Sequence, residues 1–212
     1  MTGSPLWMGG RGVELAVVEL RLGRVVGFPT DTVYGLAALA ANPSAVAALA
    51  RVKGRSSRQP VIAMAATAGE LEVLAVFGGQ ARVLADRFWP GPLTLILPAR
   101  SHVAGLTYRG TVAVRVPSHV VALELLSRAG PLATTSANRH GEPPAHDAAD
   151  ALHRLHGLAG ALAAPAAPEE SGQPSSILDL TRAEPVLIRE GGLSAHQLGV
   201  SVTRQDPRIR RD

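Results

Sequence analysis

Short apolar segments typical of β-strands alternate with amphipathic helical segments along almost the whole sequence. β-Branched residues and proline stops predict strands over residues 24–28, 60–66, 93–98, 111–117, 132–135, 175–180 and 185–190. Apolar residues at helical spacing predict helices over residues 13–22, 43–52, 69–77, 80–89, 118–130, 147–156 and 193–198. Because strands and helices interleave throughout, the sequence predicts an α/β fold.

Two of the predicted helices carry clear local signals. In the first, Leu15, Val18 and Leu22 share one face. In the second, Asn42 is a favourable N-cap and Pro43 suits the first helical position.

A single domain is expected from a chain of 212 residues. We predict a loose arm over residues 1–12, one main domain over residues 13–200 and a frayed basic tail over residues 201–212. Residues 159–174, AGALAAPAAPEESGQP, are rich in Ala, Pro, Gly and Glu. This composition predicts a mobile connection, which is also our candidate for a lid over a bound ligand.

The composition excludes several classes of protein. The chain has no Cys, which rules out disulfides and thiolate metal sites. No apolar run approaches the ~18 residues of a membrane span, and no secretory signal pattern is present, so we expect a cytoplasmic protein without membrane contact. The net charge of +4 could attract a phosphorylated ligand or RNA, or could reflect an Arg-rich surface alone.

Lys53 is the only lysine in the sequence, and it lies in the basic segment KGRSSR. An ammonium is a compact point charge that can enter a cluster of phosphate oxygens, whereas a planar guanidinium favours bidentate partners. Lys53 and Arg55 could therefore hold a polyphosphate from different angles. The alternative is that one lysine survives in an ordinary basic loop. Walker A and GxGxxG motifs are absent from the sequence, so nucleotide binding would need another architecture.

Two loops that follow predicted strands carry hydrogen-bonding side chains. FPTDTVYGL includes Thr30, Asp31 and Thr32, and α/β proteins usually bind ligands at strand ends. In TTSANRHGEPP, Ser136 and Asn138 are two residues apart, so in an extended loop they point to one side. They could bind phosphate oxygens or a metal there. Ordinary turns and helix caps use the same residue types.

Arg115 lies within an apolar strand, and a buried charge needs a partner or a ligand. A ligand carboxylate would suit it, and a structural ion pair is the alternative. Arg189, which precedes Glu190 and a glycine pair, raises the same choice. The 7 histidines show no metal-ligand spacing with a carboxylate, and no GxSxG motif is present. A protein metal site and covalent catalysis are therefore poorly supported.

Six segments, FPTDTVYGL, KGR, FWPGPLTLIL, TVAVRVP, TTSAN and PVLIREG, closely resemble in order and spacing the YrdC/TsaC family, the threonylcarbamoyl-AMP synthases. The likeness extends over roughly residues 13–198. It implies a twisted open mixed sheet flanked by helices, with a positively charged central cleft. It also implies a nucleotidyltransferase that makes L-threonylcarbamoyl-AMP and pyrophosphate from L-threonine, bicarbonate and ATP. A downstream tRNA-modifying transferase complex would then use this product at position 37 of tRNA.

The resemblance implies roles for individual residues on the nucleotide side. Lys53 and Arg55 match a K-x-R motif and are expected to be catalytic as well as ATP-binding. Ser136 and Asn138 match an S-x-N motif that binds ATP, and Arg189 is expected near the nucleotide. Mg²⁺ is expected to be bound through the nucleotide rather than by a protein site.

On the amino-acid side, the resemblance implies that Thr30, Arg115 and Ser176 bind threonine, with Arg115 holding its carboxylate. The sequence departs from the family pattern at Gln59, which replaces an asparagine, and at Met64, which replaces a histidine on the threonine side. Two alternatives stay open. One is a related carbamoyl-adenylate enzyme with another acceptor, and the other is a non-catalytic paralogue that binds double-stranded RNA.

Overall fold

One mixed β-sheet runs through the protein, with helices packed on both faces. The structure, a computed structural model, describes residues 4–54, 61–139, 141–165 and 171–200. In these ranges the strands are β1 Leu6–Met8, β2 Val25–Phe28, β3 Gly35–Leu39, β4 Ile62–Met64, β5 Leu93–Pro98, β6 Thr107–Tyr108, β7 Thr111–Arg115, β8 Leu132–Ser136, β9 Leu158–Ala163, β10 Ser176–Asp179 and β11 Val186–Arg189. The helices there are α1 Gly9–Arg21, α2 Pro43–Lys53, α3 Ala68–Leu71, α4 Gly79–Phe88, α5 Val120–Ala129, α6 Ala148–Arg154 and α7 Ala195–Leu198.

The strand order across the sheet differs strongly from the order along the chain. It is β1-β9-β2-β3-β8-β4-β7-β5-β10-β11, and β6 pairs with β7 outside this path. Strand β9 pairs in parallel with both β1 and β2, whereas β3 pairs antiparallel with both β2 and β8. The α/β class and the open mixed sheet flanked by helices are therefore confirmed.

The helices are divided between the two faces of the sheet. On one face, a core cluster includes Leu49 of α2, Leu84 of α4 and Ala151 of α6. On the other face, a second cluster includes Leu20 of α1 and Leu126 of α5. None of the helices in the described part of the chain has both the length and the apolar character needed to span a membrane.

The second face is left open along β5, β7 and β10. Leu95 of β5 and Val114 of β7 point into the first cluster. Successive side chains on a strand point to opposite faces, so the neighbouring Ile96 and Ala113 lie on the other face, where they line a cavity together with Ile177 of β10. The cavity therefore lies on the sheet face beside α1 and α5.

Helix α2 begins and ends at residues with strong local preferences. Asn42 caps it by accepting hydrogen bonds from two backbone N–H groups of the first turn, and Pro43 is its first residue, as predicted. Gly54 ends it in the left-handed conformation, with a φ of 66°, which glycine adopts at little steric cost. Lys53 is therefore the last helical residue, and its side chain reaches the cavity.

The prediction of a loose arm over residues 1–12 is wrong for residues 6–12. Strand β1 pairs with β9, and α1 already begins at Gly9. Trp7 stabilises this arrangement because it is 8% exposed and packs in the cluster of α1 and α5. The sequence MGGRG conceals the start of the helix, since glycine has a low helix propensity.

The buried face of helix α1 is not the face of large apolar residues that the sequence predicts. Leu15, Val18 and Leu22 are 44%, 53% and 62% exposed. The buried stripe contains Gly12, Val13, Ala16, Val17 and Leu20. Small residues in this stripe allow close packing, since a Cβ at Gly12 would lie 3.0 Å from the Cβ of Trp7.

The predicted mobile connection over residues 159–174 is contradicted by β9. Leu158–Ala163 forms this strand between β1 and β2, so this part cannot act as a lid. The strand escaped prediction because LAGALA lacks the β-branched and aromatic residues that mark strands. Residues 166–170, within the same prediction, lie outside the described residues, as does the predicted basic tail over residues 201–212.

Gly160 of β9 leaves no room for a side chain. A Cβ there would lie 2.7 Å from Cε2 of Trp7 and closer still to two other atoms of the indole. We predict that Gly160→Ala lowers the free energy of unfolding by about 1–3 kcal/mol, as in other overpacked cores, when measured by urea denaturation. The control Gly79→Ala places a Cβ with nothing within 4 Å and should change that energy by less than about 1 kcal/mol. Equal effects of the two variants would contradict the packing of Trp7 on β9.

Candidate active site

A cavity of about 690 Å³ opens on the uncovered part of the sheet. Its floor is apolar and includes Ile62, Ile96 and Ile177. Its polar lining falls into two groups, one around Lys53 and the other around Arg115. An apolar cavity with a few convergent polar groups is the usual form of a small-molecule binding site.

The ammonium group of Lys53 meets the strand end that carries the SAN segment. Its Nζ donates to the carbonyl oxygen of Ser136 at 2.8 Å, to Oγ of Ser136 at 3.0 Å and to Oδ1 of Asn138 at 2.7 Å. Lys53 is 5% exposed, although it lines the cavity. Because an ammonium has three N–H donors, these oxygens hold the positive charge at a fixed point on the wall.

Further hydrogen bonds fix the acceptors of Lys53. Oγ of Ser136 donates to Oδ1 of Asn138 at 2.6 Å. Nδ2 of Asn138 donates to the carbonyl oxygens of Arg139 at 2.8 Å and Glu142 at 2.7 Å. Since the amide nitrogen is used on these carbonyls, the amide oxygen faces the ammonium.

Arg115, the last residue of β7, is buried together with a carboxylate. Arg115 is 2% exposed and Asp31 is 3% exposed, and Nη2 of the arginine lies 2.7 Å from Oδ1 of the aspartate. Nε donates to the carbonyl oxygen of Gly91 at 2.9 Å, and Nη1 donates to Oγ1 of Thr32 at 2.9 Å. The structural ion pair considered as the alternative is therefore present, and Arg115 nevertheless lines the cavity.

The guanidinium of Arg115 retains capacity for a ligand. Burial lowers the pKa of Arg115, and the charge of Asp31 opposes that shift. A guanidinium has five N–H donors, and three of them serve Gly91, Thr32 and Asp31. Five minus three leaves two donors without an acceptor among the described residues. A carboxylate ligand could bind such N–H groups.

Thr30 and Thr32 form a directed pair of hydroxyl groups beside Arg115. The hydroxyl of Thr30 donates to the carbonyl oxygen of Val33 at 2.7 Å and lies 3.1 Å from Oγ1 of Thr32. Because its proton is used on Val33, Thr30 accepts from the Thr32 hydroxyl, which in turn accepts from Arg115. Both threonines line the cavity, and the proton of Thr30 is directed into its own loop.

Arg189 of β11 lies in the same region as Arg115. Its Nε donates to the carbonyl oxygen of Ser175 at 3.0 Å, and its Nη2 donates to Oγ of Ser175 at 3.2 Å. Partial burial lowers the pKa of Arg189, and the positive charge of Arg115 adds to the shift. Within this group the carboxylate of Asp31 offsets one of the two guanidinium charges, so the three side chains together remain positive.

The position of Ser176 contradicts its assignment as a threonine-binding residue. Its hydroxyl donates to the carbonyl oxygen of Leu193 and accepts from the N–H groups of Gly191 at 2.9 Å and Leu193 at 3.0 Å. Ser176 is fully buried, whereas Ser175 and Ile177 line the cavity. Sequence reasoning missed Ser175, although the alternation of side chains along a strand places it on the same face as Ile177.

The residues predicted on the nucleotide side fall into three sets. The structure brings Lys53, Ser136 and Asn138 into one hydrogen-bonded group. Arg189 also lines the cavity, but its charge lies near Arg115 instead. Arg55 lies outside the described residues.

Met64 lies on the threonine side of the predicted site. It pairs in register with Arg115 across β4 and β7, and its side chain lines the cavity. Met64 thus places a thioether where the family pattern has a histidine. This wall of the cavity is therefore more apolar. Gln59, the other departure from the pattern, lies outside the described residues.

Comparison with known protein families gives one clear match. The family model Sua5_yciO_yrdC, described as telomere recombination, matches residues 19–191. A threonylcarbamoyl-AMP synthase of Pyrococcus abyssi is 39% identical over 190 residues, which cover 88% of this chain and 56% of that protein. A putative threonylcarbamoyl-AMP synthase of Mycobacterium tuberculosis is 41% identical over 192 residues, which cover 89% of this chain and 88% of that protein.

Solved structures give the same picture. The crystal structure of P. abyssi Sua5 complexed with L-threonine matches with a TM-score of 0.83 and 37% identity, and the match covers 91% of this chain and 58% of that one. E. coli YciO matches with a TM-score of 0.82 and 25% identity, over 92% of this chain and 99% of that one. The chain thus spans little more than half of its P. abyssi relative and almost all of YciO.

The structural role of Ser176 is testable by stability. We predict that Ser176→Ala lowers the free energy of unfolding by about 1–3 kcal/mol, because it leaves the backbone N–H groups of half-buried Gly191 and buried Leu193 without their acceptor. Chemical denaturation measures this change. The control Ser127→Ala removes an exposed hydroxyl on α5 and should change the same energy by less than about 0.5 kcal/mol. A Ser176→Ala effect as small as the control would return Ser176 to the list of candidate ligand contacts.

Proposed function

Because the chain belongs to the Sua5, YciO and YrdC family, we propose that it is a threonylcarbamoyl-AMP synthase. It would join L-threonine, bicarbonate and ATP, and release L-threonylcarbamoyl-AMP and pyrophosphate. The observation that carries this proposal is the buried ammonium of Lys53, held 2.7–3.0 Å from Ser136 and Asn138 on the wall of the cavity. A fixed cation beside hydroxyl and amide groups suits the phosphates of a nucleotide.

In this proposal the Lys53 group binds the triphosphate. Since the three N–H donors of the ammonium already have protein acceptors, phosphate oxygens replace some of these protein oxygens when the nucleotide binds. Negative charge develops on pyrophosphate as it leaves, and a cation fixed beforehand in a partly dry site stabilises such charge without reorganisation. Arg55, two residues beyond Lys53, supplies a second cation.

Arg115 binds the amino acid in this proposal. Its two remaining N–H donors point to a carboxylate as the ligand group, and Arg189 adds positive charge in the same region. The predicted positively charged cleft is part of this proposal, since Lys53, Arg115 and Arg189 all line the cavity.

The reaction then proceeds by positioning rather than through a covalent enzyme intermediate. The amine of threonine attacks CO2 derived from bicarbonate, loses a proton and becomes an N-carboxylate. An oxygen of that carboxylate attacks the α-phosphorus of ATP, and the bond from phosphorus to the bridging oxygen of pyrophosphate breaks. Alignment of bound reactants can supply up to about 7–11 kcal/mol of the barrier in ideal cases.

Mg²⁺ belongs to the substrate in this proposal. Among the described residues, no three or more His, Cys, Asp or Glu side chains converge in a way that could hold a metal ion. Mg²⁺ is commonly bound through substrate phosphates with few protein ligands, so it would enter with ATP and offset phosphate charge.

The product suits a cytoplasmic tRNA-modification route. A separate tRNA-modifying transferase complex would consume threonylcarbamoyl-AMP at adenosine 37. The P. abyssi and M. tuberculosis relatives described above carry the name threonylcarbamoyl-AMP synthase, the second as putative, which supports the proposed product.

Met64 favours one second candidate function, a carbamoyl-adenylate enzyme with another acceptor. Its thioether lines the cavity next to Arg115 in the register of β4 and β7. A more apolar wall would suit an amino acid with a larger apolar side chain.

One incubation tests the proposed reaction. Purified protein is mixed with ATP, MgCl2, bicarbonate and L-threonine, and the products are analysed by mass spectrometry and a pyrophosphate assay. We expect threonylcarbamoyl-AMP and pyrophosphate in equal amounts, and neither when one substrate is omitted. Faster pyrophosphate release with another amino acid would support the second candidate. ATP stability under all conditions would refute both.

The chemical identity of residue 53 is the next test. We predict that Lys53→Ala abolishes pyrophosphate release and that Lys53→Arg loses most of it, because a planar guanidinium does not fit the site of the ammonium. The control is Arg51→Ala, which removes an exposed cation from the same helix and should leave the rate unchanged. Normal turnover by Lys53→Arg would show that position 53 needs charge but no particular shape.

A further inference from the structure

Asp31 fixes the direction of the Arg115 side chain, and we propose that it is a positioning residue for the substrate carboxylate. This inference rests on the proposed function. Asp31 is buried and is not part of the cavity lining. Any effect of Asp31 on the substrate therefore passes through Arg115, which does line the cavity.

A single oxygen of Asp31 makes the contacts. Oδ1 accepts from Nη2 of Arg115 at 2.7 Å and from the backbone N–H of Ser118 at 3.1 Å. Oδ2 is buried and has no hydrogen-bond partner among the described residues. The position of one acceptor atom, rather than the carboxylate as a whole, thus connects Asp31 to Arg115.

Asp31 is itself held from a second direction. Its backbone carbonyl oxygen accepts from the N–H of Ser171 at 3.0 Å and from the Ser171 hydroxyl at 3.3 Å. With Ser118 bound to the side chain and Ser171 bound to the main chain, Asp31 has little freedom to follow a moving arginine. It can therefore serve as a fixed reference for the guanidinium plane.

The other two contacts of Arg115 do not replace this one. Gly91 binds Nε and Thr32 binds Nη1, so Asp31 is the acceptor that holds Nη2. A buried N–H group that loses its acceptor is costly, so Nη2 would turn toward another acceptor if Oδ1 were absent or displaced. Loss of Oδ1 would therefore redirect the two N–H groups that remain for the ligand.

Three variants separate the position of Oδ1 from the charge of the carboxylate. Asp31→Asn keeps an oxygen at the same place and removes the charge. Asp31→Glu keeps the charge and moves the carboxylate oxygen away from its position, because the side chain is longer by one methylene. Asp31→Ala removes both. If the position of Oδ1 determines threonine binding, Asp31→Asn binds threonine almost as the wild type does, whereas Asp31→Glu and Asp31→Ala lose affinity for it.

The test measures KM for threonine and KM for ATP by pyrophosphate release, and the threonine Kd by calorimetry. We expect Asp31→Glu and Asp31→Ala to raise KM for threonine about tenfold or more, since small misplacements of a binding group are costly. Asp31→Asn should stay within about threefold of the wild type, and KM for ATP should stay within about twofold in all variants. If Asp31→Ala fails to fold, the comparison of Asn with Glu decides.

The control variant is Asp179→Ala, which removes another buried carboxylate that lies outside the cavity lining. It should lower the melting temperature without changing KM for threonine. Normal threonine KM in Asp31→Glu, or a larger loss in Asn than in Glu, would overturn the inference. In that case the wild type still makes the adenylate, whereas failure of the proposed function would leave the wild type without turnover or threonine binding.

Discussion

The alternation of side chains along β-strands is the constraint on which this structure depends. Along β5 and β7, one set of residues fills the core under α2, α3 and α4, and the other set faces the side that carries α1 and α5. Those two helices leave part of that side open, and the floor of the cavity is formed there. The same strands thus build the core and the candidate site, so their register determines both.

The strands that the sequence predicted are those whose own residues favour a strand. Leu93–Pro98 was located to the residue because LTLILP ends at a proline. Strands β3 and β9, GLAAL and LAGALA, were not predicted, since Gly, Ala and Leu carry no strand signal. The residues of these two strands are small because large side chains pack against them. A Cβ at Gly35, for example, would lie 2.8 Å from Cε1 of Phe28. Tertiary packing determines these two strands, and a single sequence does not show it.

The candidate site was predictable where chemistry is local and less so where distant loops meet. Lys53 stands out by its residue type alone, and the resemblance assigns it and Ser136, 83 residues away, to the same nucleotide, whereas their direct hydrogen bond is visible only in the structure. The pairing of Arg115 with Asp31 depends on the conformation of the loop after β2, which residue spacing does not determine. The prediction for Ser176 is displaced by one residue along β10. Because successive side chains of a strand point to opposite faces, the cavity is lined by Ser175 and Ile177 instead.

The position of β9 has a consequence for synthesis on the ribosome. Strand β2 needs β9 as one of its two partners, and β1 pairs with β9 as well. A nascent chain that has produced only its amino-terminal half therefore carries β2 with an unpaired edge, the kind of surface that recruits foreign strands. Because LAGALA is synthesised late, that edge stays open until β9 has emerged, and pairing with β9 then removes it.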